Sequence, residues 1–75
     1  MKVTVKMIGG FVHTAGFSEK TLELPPGSTT DTLLDMLKID PSRPKVVARN
    51  GSAVIVAERL EEGDRVVISP VFSGG

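Results

Sequence analysis

The chain has 75 residues, 40% of them hydrophobic and 4% aromatic, and its nine basic side chains balance nine acidic ones. That length holds one domain at most, burying only about 60% of the surface its unfolded form exposes, and the lack of cysteine removes disulfide frameworks, thiolate zinc sites, iron-sulfur clusters and cysteine nucleophiles. Zero net charge without a basic cluster argues against nucleic-acid binding, where phosphate neutralisation supplies most of the affinity, and no apolar run approaches the roughly 18 residues that span a bilayer.

The N-terminus Met1-Lys2-Val3-Thr4 lacks the apolar block of a secretory signal, so a soluble, cytoplasmic protein is expected. From Lys2 to Ile8, polar Lys2, Thr4 and Lys6 alternate with apolar Val3, Val5 and Met7, the period-two pattern of a half-buried strand ended by Gly9-Gly10. A connecting loop holding Phe11, His13 and Phe17 leads to a return strand over Ser18 to Leu24, with Leu22 and Leu24 on one face. Pro25-Pro26-Gly27 breaks it, and Ser28, Thr29 and Thr30 offer N-caps for a short helix. Leu33, Leu34 and Leu37 form that helix's apolar stripe, Asp31 near its start and Lys38 near its end suit the dipole, and Asp40-Pro41 stops it.

Lys45 to Asn50 predicts a third strand, Asn50-Gly51 a two-residue hairpin turn, and Val54 to Ala57 the partner strand. The last strand covers Arg65 to Ser69, with Val66 and Ile68 on one face, and Pro70 ends it. Met7 and Met36 are expected as core fillers. The expected architecture is α+β: a mixed sheet of four or five strands gripping one helix, its first and last strands parallel through a crossover. Residues 1–71 form the body and 72–75 a tail.

Three stretches resemble the β-grasp, ubiquitin-like sulfur carriers, the group that includes the thiamine-pathway carrier and the small subunit of molybdopterin synthase. They are Val46-Val47-Ala48-Arg49-Asn50-Gly51, Leu60-Glu61-Glu62-Gly63-Asp64-Arg65-Val66, and the run Pro70-Val71-Phe72-Ser73-Gly74-Gly75. The first half of the chain matches only in element order. The last run looks closer to the molybdopterin type, with Phe72 inserted and one proline missing, whereas Leu37-Lys38-Ile39-Asp40-Pro41 looks closer to the thiamine type. Both pathways stay open.

The resemblance implies a carrier that is not itself an enzyme. An E1-like adenylating partner, using ATP and Mg, activates the carboxyl of Gly75. Sulfur from a donor then displaces the nucleotide to leave a thiocarboxylate, which serves an acceptor such as a molybdopterin synthase large subunit or a thiazole synthase. The chain itself binds no cofactor in this scheme. Activation is chemically required, because a terminal carboxyl with a pKa of about 3.5 is an anion and a poor electrophile at neutral pH.

Gly74 and Gly75 suit the role because a residue without Cβ threads a narrow channel and takes angles closed to others. From Phe72 to Gly75 the extended reach is about 14 Å, and ordering those residues costs about 4 to 8 kcal/mol of backbone entropy. The body must therefore contribute to docking. Candidates are Val67, on the face opposite Val66 and Ile68 and beside Thr4 or Lys6, together with Val71, Phe72 and Ser73. Phe72 either anchors a partner or folds back over the core edge.

Other motifs have plainer explanations. Gly63-Asp64 supplies turn chemistry, His13 is a solvated loop residue without a second metal ligand, and Asp31 with Asp35 makes a solvated helix face. Two further functions remain: a protein modifier joined to lysines through Gly75, or a carrier for thiolation of an RNA base. An interaction module with an inert tail is the alternative from a different class.

Overall fold

In a computed structural model, residues 1–71 are described. Strand β1, Lys2–Met7, buries Val3, Val5 and Met7 and leaves the alternate positions outward. It pairs antiparallel with β2, Glu19–Glu23, in a register that sets Val3 beside Leu22. Leu24 follows β2 into the core.

Between these strands lies helix α1, Phe11–Ala15, in a segment that the sequence reads as loop. Five residues are too few to show a helical period, and the turn is held by tertiary contact. Phe11 is fully buried, the Arg43 guanidinium lies 4.0 Å over its ring, and Arg43 Nη1 donates to Thr14 Oγ1 at 2.6 Å. Gly16, at φ +83°, closes the helix with its amide on the Val12 carbonyl.

Helix α2, Thr30–Met36, starts as its hydroxyl-rich N-terminus suggests: Thr29 is the N-cap, and it exchanges bonds with Thr32 in a capping box. Leu33 is buried, with Leu34 and Leu37 partly so. Met36 is not a core filler: it lies off that stripe and is 50% exposed. Lys38, at φ +57°, turns the chain so that Ile39 packs inward.

Strand β3, Lys45–Arg49, and the two-residue β4, Ser52–Ala53, are joined through Asn50 and Gly51, at φ +51° and +85°, the signs that this tight turn requires. Pairing therefore starts at Ser52 and ends after the Val54 amide bonds Val47, so the partner strand expected over Val54 to Ala57 does not form. The chain instead turns toward α2, where the Thr30 amide donates to the Glu58 carbonyl and the Glu58 amide to Thr30 Oγ1.

Strand β5, Arg65–Pro70, runs parallel to β1 and antiparallel to β3, giving the order β2-β1-β5-β3-β4. This is the expected mixed sheet, with five strands. Its inner face, Val3, Val5, Val66 and Ile68, packs with Leu33 and Phe11 into one core.

Candidate functional site

The strand that precedes the terminal glycines is the central one. Ladders on both sides hold β5 almost to its end: Ser69 is in register with Val46, Pro70 with Lys45, and the Ile8 amide donates to the Ile68 carbonyl. At the exit, Gly9 takes φ +59°, and a Cβ there would stand 3.1 Å from Pro70 Cγ. A side chain there would crowd Pro70 and be strained at that angle, which glycine takes freely. Beyond Pro70, Val71 is 52% exposed. Phe72, Ser73, Gly74 and Gly75 lie outside the described residues.

Alternation in β5 puts Val67 on the outer face, as expected, in register with Lys6 on one side and Ala48 on the other. Ala53 continues that row, and Val46 beside Ser69 adds an apolar side chain that is 44% exposed. The outer face thus carries an apolar strip on β3 and β5 that runs toward the chain's exit. Val46 and Ala48 escape a sequence reading centred on β5. Their signal is present, since with Val47 buried its neighbours must face outward.

At the opposite end of β5 a polar cluster fixes where the strand begins. Asp64, 6% exposed, accepts from Arg49 Nε at 2.7 Å, Asn50 Nδ2 at 2.9 Å and the Glu61 amide at 2.8 Å. Asn50 Oδ1 accepts from the Arg65 amide, and Arg49 Nη1 reaches Glu58 at 3.3 Å. Burial pushes the Asp64 pKa up, but the bonds from Asn50, Arg49 and Glu61 outweigh it and hold the carboxyl below its ordinary value. Asp64 raises the pKa of Arg49 in return. Three donors shared between its two oxygens make this a structural carboxylate, in keeping with the turn chemistry read from Gly63-Asp64. Gly63 has φ +84°.

His13, Asp31 and Asp35 are exposed, and among the described residues no three histidine or acidic side chains cluster tightly enough to hold a metal ion. No described helix is long and apolar enough to cross a membrane.

A five-stranded mixed sheet with parallel β1 and β5 at its centre, packed on α2, defines a ubiquitin-like β-grasp protein. Within that class the chain belongs to the ThiS family, whose model matches residues 5–75 and so runs through both terminal glycines. It is one of the ubiquitin-like carriers and modifiers of sulfur-carrier type.

Among solved structures, the putative molybdopterin converting factor subunit 1 of Pyrococcus furiosus is similar at 30% identity and TM-score 0.80, covering 93% of this chain and 97% of that one. SAMP1 from Haloferax volcanii shares the fold at TM-score 0.81 and 21% identity over 100% of both chains. A chain of the complex of subunits 1 and 2 of molybdopterin-converting factor from Helicobacter pylori also shares it, at TM-score 0.71 and 17% identity over 100% of both. No curated protein sequence matches the chain.

Proposed function

We propose that this protein carries sulfur as a thiocarboxylate on Gly75, having no catalytic activity of its own, and that an E1-like partner using ATP and Mg does the activation. The Gly75 carboxylate attacks the α-phosphate of ATP and pyrophosphate leaves. A sulfide equivalent then attacks the acyl carbon, and AMP departs with the oxygen it had gained. The observation that carries this proposal is the ThiS-family match through residue 75, on a body whose central strand delivers the chain outward at Val71.

The outer strip of Val46, Val67 and Val71 beside Lys6 is the docking surface in this scheme. Side chains that are already part-exposed and apolar lose little by burial against a partner, and each contributes to offsetting the entropy of ordering residues 72–75. For the sulfur acceptor, similarity to the Pyrococcus furiosus subunit 1 favours a second subunit of the molybdopterin-converting type over a thiazole synthase.

Pyrophosphate release tests the first step. With an E1-like enzyme and ATP, the full chain is expected to support release and to form a carrier adenylate, whereas a chain lacking Gly74 and Gly75 supports neither while keeping its circular dichroism spectrum. Equal release from both chains would contradict the assignment of Gly75. Lysine-linked adducts of higher mass, lost with Gly75, would instead identify a modifier.

A further inference from the structure

The inner side of the sheet, away from Val67, carries a second apolar surface. Between α2 and the segment after β4 lies an open trough of about 340 Å³. Its floor is Leu34, Val47 and Val54, partly or wholly buried, and Asp31 and Asp35 form the wall on α2. Across from them stand Ile55 and Val56, 87% and 73% exposed, the most exposed large apolar side chains among the described residues. Nothing in the fold requires two such side chains side by side in water.

Three features define what fits. First, among the described residues the backbone of Ile55, Val56 and Ala57 makes no hydrogen bond: the Val54 amide to Val47 is the last rung, and the chain is next tied at Glu58. Open amides and carbonyls beside an apolar trough are the pattern that an extended peptide completes. Second, Asp31 and Asp35 stand one helical turn apart, and neither forms an ion pair among the described residues. Like charges at that spacing disfavour each other, so a cation placed between them gains from both. Lys45 at the trough's end, whose Nζ donates to the Pro41 carbonyl, sets one positive charge against two negative.

Third, no polar group converges from below. Thr30 Oγ1 already accepts from Glu58, so a small ligand finds nothing to fix its orientation. Phosphate-bearing ligands meet the two carboxylates and are repelled.

We propose that this trough binds an extended segment of a partner protein in which apolar side chains are flanked by lysine or arginine. The apolar groups cover Leu34 and Val54, the cations reach Asp31 and Asp35, and the main chain pairs with the open backbone at Ile55 to Ala57. Because the trough and the Val67 strip lie on opposite faces of the sheet, both can be occupied together. The site stands independently of any chemistry at Gly75.

The test is an amide chemical-shift titration of the isotope-labelled full chain with the probe peptide acetyl-Arg-Val-Arg-Ile-Arg-amide. Shifts are expected along α2 and residues 54–57. Affinity should fall several-fold from low to physiological salt, and Asp31→Asn with Asp35→Asn should weaken binding roughly tenfold. Ile55→Ser, at a solvent-facing position that leaves the fold intact, should also weaken it, while leaving pyrophosphate release with an E1-like enzyme unchanged. The proposal is overturned by shifts centred on Val46 and Val67, by equal binding of the analogue with glutamate in place of arginine, or by no shifts at millimolar peptide.

Discussion

Replacing Asp64 with alanine strips the acceptor from three donors that come from two separate parts of the chain: Arg49 and Asn50 at the end of β3, and the Glu61 amide in the turn before β5. Leaving a buried donor without a partner costs about 1–3 kcal/mol. Arg49 and Asn50 are exposed enough to turn to water, so the three losses do not add in full. A net cost of about 3 kcal/mol is expected, in the range for breaking one side of a buried charged pair. A 75-residue domain has about 4–11 kcal/mol of stability in all. The thermal midpoint should therefore fall by roughly 12–24 °C.

Urea unfolding followed by circular dichroism measures the change directly, and an unaltered slope would show that the unfolded state is untouched. Acid supplies a second readout with a definite sign. Because the folded-state pKa of Asp64 is depressed, the unfolded chain binds more protons at low pH, and stability rises with pH there. The contribution is complete above the unfolded value of about 3.9 and is lost as pH falls through the folded value. Asp64→Asn should flatten that acid limb relative to wild type. A loss under about 1 kcal/mol in Asp64→Ala, with the acid limb unchanged, would refute the role given to this cluster.

Four other substitutions probe the fold and the proposed docking face. Gly9→Ala, forced to φ +59° with its methyl against Pro70, should cost about 1–2 kcal/mol in urea unfolding, concentrated where the chain leaves the sheet. Val67→Asp should raise the KM of the E1-like enzyme for the carrier about tenfold or more with kcat little changed, since it removes one apolar contact from the docking strip. Leu33→Ala should lose about 2–5 kcal/mol of stability, whereas Met36→Ser, half-exposed, should stay within about 0.5 kcal/mol of wild type.

Strand-forming segments were legible wherever one face is buried and the other wet. Val3, Val5 and Met7 announce β1, Val66 and Ile68 announce β5, and Asn50-Gly51 fixes the β3–β4 turn because few other dipeptides take two positive φ angles. Helix α1 was not legible: its stability resides in Arg43 covering Phe11, a contact between residues far apart in sequence. The same holds for the early end of β4. Val54-Ile55-Val56-Ala57 has strand propensity, yet the reciprocal bonds between Thr30 and Glu58 draw the chain off the sheet.

Of the candidate site, Val67's outward placement followed from alternation alone, which left Thr4 or Lys6 as its neighbour; the β1–β5 register settles on Lys6. Val46 and Ala48 needed the strand order, which sets β3 beside β5, before they could be grouped with it. The trough over Leu34 was invisible in the sequence, because it depends on how α2 lies against β3.

The most direct measurement is the mass of the C-terminal peptide after the chain is coexpressed with an E1-like enzyme and a sulfur source. Exchange of one oxygen for sulfur at Gly75, abolished when the enzyme's ATP site is inactivated, is the expected result. A carboxylate that stays unmodified at Gly75 while a known ThiS-family carrier is charged in the same cells would contradict the account.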